Sequence, residues 1–252
     1  MNFLNFLILD IFLLILLILL IIIIVLSKLP DSLTLVEYKK REIIDVVFLF
    51  LSQFVFLIFY IFYIRPFFSA SVRGGIIIDI VFLSLTDLLI PLMLVLIRNN
   101  WKLKDFGITT NLRSWPLALF VIFSYTFFGI ISYYLFFQRE LELLYLLLLL
   151  YTNAFLEEFL FRSIIQTKLE KGIGQKKSIV FGGLLFGLSH IPVDIYYLHH
   201  RLDIVCVILL FIQQLFHGWI FSIIYMKTRN LFPVVFCHYL ANWLGPIILL
   251  FL

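Results

Sequence analysis

Three short runs hold nearly all the groups that could do chemistry. The first is Asn153-Ala-Phe-Leu-Glu157-Glu158-Phe-Leu-Phe-Arg162, the second Phe186-Gly-Leu-Ser-His190, the third His238-Tyr-Leu-Ala-Asn242. On a helix Glu158 and Arg162 are i,i+4 neighbours and can neutralise each other. Glu157 is turned about 100° from Glu158 and shares a face with Asn153, so it has no local countercharge. His238 and Asn242 share a face at the same spacing. An uncompensated carboxylate can act as a general base on water, and a histidine can help hold that water. A second histidine and an amide can donate to a developing oxyanion. Together these groups describe water attack on a carbonyl, and hence peptide hydrolysis. A salt bridge that only fixes helix packing would account for Glu158 and Arg162 but leave Glu157 unexplained. Each histidine, taken alone, reads equally as a hydrogen-bonded packing residue.

No serine or cysteine lies in an evident nucleophile motif, and no His-Glu-x-x-His zinc signature is present. His190, His238 and Glu157 could in principle be three zinc ligands with water as the fourth. Against this, an amide such as Asn242 is a poor zinc ligand, and Glu157 as a ligand would leave no general base. The expectation is no metal and no cofactor.

The elements that must position these residues follow from composition. Of 252 residues, 63% are hydrophobic and 13% charged. A soluble domain has about 25% charged residues, so this chain lacks the polar surface to cover a soluble fold. Eight apolar segments, near 3–26, 46–64, 76–97, 116–137, 143–165, 179–198, 204–226 and 233–252, run without strict alternation. A bilayer core of about 30 Å takes about 20 helical residues. The reading is an all-α polytopic membrane protein of about eight transmembrane helices. It forms one membrane domain over 1–252, with four N-terminal helices in 1–142 and the motif-bearing helices in 143–252. Cys206 and Cys237 lie inside apolar segments and read as small core residues. Nothing basic forms a nucleic-acid patch. The loops after the odd-numbered segments hold 14 basic residues and those after the even-numbered ones hold 4, with Arg162 inside a helix. The positive-inside rule then puts the odd loops, including the one with Lys168, Lys171, Lys176 and Lys177, in the cytoplasm.

Depth brings the three runs together. Glu157 lies about 9 residues from the fifth loop, His190 about 12 beyond it, and His238 about 7 beyond the seventh. At 1.5 Å per residue these are similar layers, roughly 10–18 Å from the cytoplasmic side. Other polar residues invite blander readings. His217 shares a face with Gln213 and fits a helix–helix hydrogen bond; His199 and His200 lie at an outer loop. Asp79 and Asp87 share a face of the third segment, and with Asp10 could suggest a transporter's ion path; pairing to a neighbouring helix is the simpler account. A non-catalytic scaffold or immunity factor is the other competing function.

The three runs resemble the motifs of the type II CAAX prenyl endopeptidases and their bacterial relatives, the CAAX protease and bacteriocin-processing family: Glu-Glu-x-x-x-Arg, Phe-x-x-x-His and His-x-x-x-Asn, in that order. Gly218 and the turn Thr228-Arg-Asn-Leu-Phe-Pro233 also look like family features. The resemblance covers about 153–245; the first four segments share only their apolar character. It implies a multi-pass intramembrane glutamate protease in the cell membrane, or in the endoplasmic reticulum if the chain is eukaryotic. By that analogy Glu157 is the base, His190 positions water, and His238 and Asn242 form the oxyanion site. Glu158, Arg162 and Phe186 support them. The implied partners are the lipid bilayer and a peptide or prenylated protein substrate, whose C-terminal tripeptide eukaryotic members remove.

Overall fold

The computed structural model describes residues 40–68, 72–99, 101, 103–109, 150–198 and 204–242. They form six helical runs and no strand among the described residues. Helix α1 joins Lys40–Phe59, a π-wound turn Tyr60–Ile64 and Arg65–Phe68. Helix α2 joins Val72–Leu83, a π-wound stretch Ser84–Leu89 and Ile90–Asn99. Helix α3 runs from Leu150 to Ile173, α4 is Gln175–Leu198, α5 is Ile204–Thr228 and α6 is Leu231–Asn242.

Four helices, Lys40–Phe67, Ile77–Ile97, Gln175–Tyr196 and Ile204–Thr228, are long and apolar enough to cross a membrane, and α6 is a shorter apolar helix. The chain is a multi-pass membrane protein. The expected eight crossings are not all represented: segments 3–26 and 116–137, and the outer ends of the fifth and eighth, lie outside the described residues.

The arrangement is polar inside and apolar outside. On α1 the exposed side chains Ile44, Phe48, Leu51, Val55 and Phe59 follow a helical stripe, while the opposite stripe buries Glu42, Asp45, Val46, Leu49 and Gln53. A helix whose apolar stripe faces outward is at home in lipid, because hydrocarbon takes the place of a protein core on that side. Helix α3 has the reverse environment. Every residue from Glu158 to Gln166 is buried, so its charges meet protein and not lipid.

One boundary differs from expectation. The fifth segment does not end near 165; α3 continues to Ile173, and Lys168 is a buried helical residue instead of a loop residue. Its ammonium donates to Glu42 at 2.7 Å and to Asp45 at 2.9 Å. Two carboxylates on α1 make the burial affordable, and they fasten α1 to the end of α3. The turn that follows is the single residue Gly174, with φ of 84°, a conformation glycine adopts without a Cβ clash.

Helices α4 and α5 cross most closely. A Cβ placed on Gly218 would lie 2.7 Å from the Gly183 carbonyl oxygen, and one on Gly183 would lie 2.1 Å from Trp219 Cδ1. Small residues at such a crossing let two backbones approach, which is how helices pack when hydrophobic driving force is weak. Arg229 closes α5 in the left-handed region at φ of 50°. Both of its terminal nitrogens donate to Glu170, at 2.6 and 2.7 Å.

Candidate active site

The hairpin of α3 and α4 explains how the first two runs meet. Glu157 lies 17 residues before Gly174 and His190 lies 16 after it, so both sit about 25 Å along their helices from the turn. The two residues sit at the same height on the hairpin, further along their helices than the loop edges suggested, because the turn lies at 174. His190 Nε2 is 3.5 Å from Glu157 Oε2.

Around Glu157 the helix is wound unusually. Leu150–Leu156 and Phe159–Gln166 are both π-helical and flank Glu157 and Glu158. Such segments recur at functional sites because they re-aim side chains that a regular helix would place elsewhere. The two neighbouring glutamates point to different partners. Glu158 is fully buried, and its Oε2 accepts from Arg162 Nε at 2.7 Å, as the i,i+4 spacing anticipates. Its Oε1 lies 2.8 Å from His238 Nδ1. Arg162 also donates from Nη1 to Ser222 Oγ at 2.9 Å. Its guanidinium stands 4.8 Å from the Phe186 ring centre and 5.8 Å from that of Phe221. Favourable cation–π geometry of this kind gains strength when desolvated.

The two histidines are oriented by what their Nδ1 atoms meet. His190 Nδ1 is 2.8 Å from the Phe186 carbonyl. A carbonyl only accepts, so this nitrogen carries the hydrogen. Its Nε2 is the atom turned toward Glu157. His238 Nδ1 faces an acidic oxygen of Glu158 and donates in the same way, and its Nε2 lies 3.9 Å from Glu157 Oε2. Phe186 sits between the rings, 4.6 Å from His190 and 5.5 Å from His238, while Phe221 stacks on His238 at 4.9 Å. Glu157 Oε2 has no hydrogen-bond partner among the described residues, and neither does Asn242 Nδ2.

The structure thus brings Glu157, Glu158, Arg162, Phe186, His190 and His238 together, with Asn242 one turn beyond His238. The second partner of Glu158 was not expected from sequence, and neither were Ser222 and Phe221. Ser222 is an unremarkable residue in an apolar run, and only its four-residue offset from Gly218 puts it on the same side of α5. His217 stacks against Phe221 at 5.8 Å, and Phe221 in turn stacks on His238. Asp79 is held by the Tyr60 hydroxyl and by Arg65, whose Nε lies 3.2 Å from Oδ1; it is paired to a neighbouring helix. Asp10, His199 and His200 lie outside the described residues. Among those residues no cluster of three or more His, Cys, Asp or Glu side chains has a geometry suited to a metal ion.

Residues 139–244 match the family model described as "Type II CAAX prenyl endopeptidase Rce1-like". The matched stretch includes all three runs, the helices α3, α4 and α6 that carry them, and α5. It supports a membrane protease acting on a peptide or prenylated protein. No curated protein and no solved structure matches the chain.

Proposed function

We propose that the chain is an intramembrane endopeptidase in which Glu157 activates water, with removal of the C-terminal tripeptide of a prenylated protein as the reaction it is built for. The observation that carries this reading is the convergence of both histidine Nε2 atoms, at 3.5 and 3.9 Å, on one oxygen of Glu157. A water placed between Glu157 Oε2 and His190 Nε2 donates one hydrogen to each, since both are acceptors. Its oxygen lone pair is then free to attack the scissile carbonyl carbon. As the C–O bond forms, Glu157 takes the water proton and the carbonyl oxygen becomes an oxyanion. Collapse of the tetrahedral intermediate breaks the C–N bond, and Glu157 returns the proton to the leaving amine.

The oxyanion contacts fall to Asn242 Nδ2 and His238. With Nδ1–H committed to Glu158, His238 can donate through Nε2 only when both ring nitrogens carry hydrogen. Glu158 supports that form, since it is the carboxylate the ring already faces. In this scheme His190 accepts from water through Nε2, its Nδ1–H being committed to the Phe186 carbonyl. No step in this scheme calls for a metal.

Glu157→Gln keeps the shape and removes the titratable oxygen. In purified protein, cleavage of a prenylated peptide should fall by at least about two to four orders of magnitude, the usual worth of a general base. The wild type should keep full activity after prolonged chelation. Near wild-type turnover in Glu157→Gln, or activity lost on chelation and restored by zinc, would sink the glutamate mechanism. A chain that is folded but cleaves neither prenylated nor plain peptides would instead favour the scaffold reading.

A further inference from the structure

Helix α5 carries none of the three runs, yet one of its polar side chains reaches the centre. Ser222 is wholly buried, as are Glu158, Arg162 and Gln166. Its hydroxyl oxygen accepts from Arg162 Nη1 at 2.9 Å, and its backbone carbonyl accepts from Gln166 Nε2 at 2.9 Å. A single residue of α5 thus holds two side chains of α3 that lie four positions apart. Helix α4 closes the third side. A Cβ on Gly182 would lie 3.2 Å from Ser222 Oγ and 3.7 Å from Gln166 Oε1.

Both bonds fall on the π-wound stretch Phe159–Gln166. Such winding is rare and occurs mostly as single turns inside α-helices, so a stretch of this length needs contacts from other elements to keep it. The bond to Arg162 also opens a continuous polar chain. Arg162 Nε donates to Glu158 Oε2 at 2.7 Å, Glu158 Oε1 lies 2.8 Å from His238 Nδ1, and His238 Nε2 lies 3.9 Å from Glu157 Oε2. A guanidinium is a planar, rigid fork. Holding Nη1 therefore fixes the direction of Nε–H, the place of the Glu158 carboxylate, and the ring that this carboxylate meets. The rings of Phe186 and Phe221 beside the guanidinium can set the tilt of its plane but not its rotation within the plane. Ser222 supplies a fixed point outside α3, which the i,i+4 pair alone lacks.

We propose that Ser222 is a positioning residue of the reaction centre: through Arg162 and Glu158 it fixes the His238 ring that faces Glu157. Being wholly buried, it acts on turnover and not on the binding of substrate. The inference rests on the reaction proposed at Glu157.

The test uses the purified full chain and one prenylated peptide, with Glu157→Gln run beside the Ser222 variants. Ser222→Ala removes the acceptor, Ser222→Cys nearly keeps the size but offers only a weak acceptor, and Ser222→Thr restores a hydroxyl. In the first two, kcat should fall about tenfold, the worth of one hydrogen bond to a charged group, with KM unchanged. Ser222→Thr should recover most of the loss. A serine that only fills space would change the unfolding temperature and leave kcat of the folded protein as it is. The second readout is nitrogen magnetic resonance of protein labelled at histidine, with His238→Gln identifying the signals of that ring. Those signals should be displaced in Ser222→Ala and Ser222→Cys. Unmoved His238 signals, or a wild-type kcat in both variants, overturn the proposal. Should Ser222→Thr fail to fold, the near-isosteric Ser222→Cys and the His238 signals decide. The signals are read without turnover, so an active Glu157→Gln would sink the glutamate reading while the link from Ser222 to His238 is still decided by them.

Discussion

Glu158 stands between a guanidinium at 2.7 Å and an imidazole at 2.8 Å, so its removal leaves two donors in a dry setting. Breaking a buried pair by deleting one partner costs about 3–5 kcal/mol, whereas replacing both by apolar groups of similar volume is often nearly neutral. We therefore expect Glu158→Ala and Arg162→Ala each to lower the unfolding temperature together with activity. A double replacement by Leu and Met should recover much of the stability and none of the activity, since His238 loses its anchor. Thermal unfolding in detergent checks this; single variants that melt like wild type would remove the ion pair from the argument. At this scale the sequence was readable where the partner is local. Glu158 and Arg162 are four residues apart, and helix geometry alone pairs them. The bond from His238 to Glu158 spans 80 residues and depends on how a ring turns about its own axis, which no spacing records. Thus His238 could be placed at the site while the atom it presents there could not.

Among the elements, the crossing of α4 and α5 backs the helix that carries His190. Gly183 and Gly218 touch backbone to backbone, so an added methyl has no flexible side chain to displace. Overpacking of this kind costs about 1–3 kcal/mol. Gly218→Ala should lower stability by that amount and also lower turnover, because the helices can separate only by moving His190. A variant as active and stable as wild type would show that the crossing is looser than described. The helices were legible from apolar run length, but their ends were not. Lys168 looked like a loop residue because an isolated lysine cannot be buried cheaply. Its two carboxylate partners lie over 120 residues earlier, and nothing local announces them. Glu157 and His190 still meet because they shift together when the turn moves.

For the whole molecule, we expect the charge bias of the loops to set orientation, and with it the side from which substrate reaches Glu157. Lys176 is exposed beside the Gly174 turn, while Cys206 and Cys237 are buried and give a low background. Lys176→Cys should resist an impermeant thiol reagent in intact cells and react after permeabilisation. Labelling in intact cells would invert the topology and turn the site's opening to the outer face. Composition was enough to read a multi-pass helical protein, since polar groups are too few to clothe a soluble one. The full number of crossings depends on stretches outside the described residues.

The pairing of α3 also bears on the order in which the chain is made. Helix α3 leaves the ribosome before α4, α5 and α6 exist, and it must enter the membrane with the charges it carries. Arg162 meets Glu158 within the same helix, so that pair is neutral from the start. Lys168 depends on Glu42 and Asp45, which are synthesised earlier and already wait on α1. Glu157 alone faces two groups, His190 and His238, that are both still to come. During biogenesis the candidate base therefore enters the membrane before either histidine it faces, and the centre is complete only once α4 has folded back against α3 and α6 has followed.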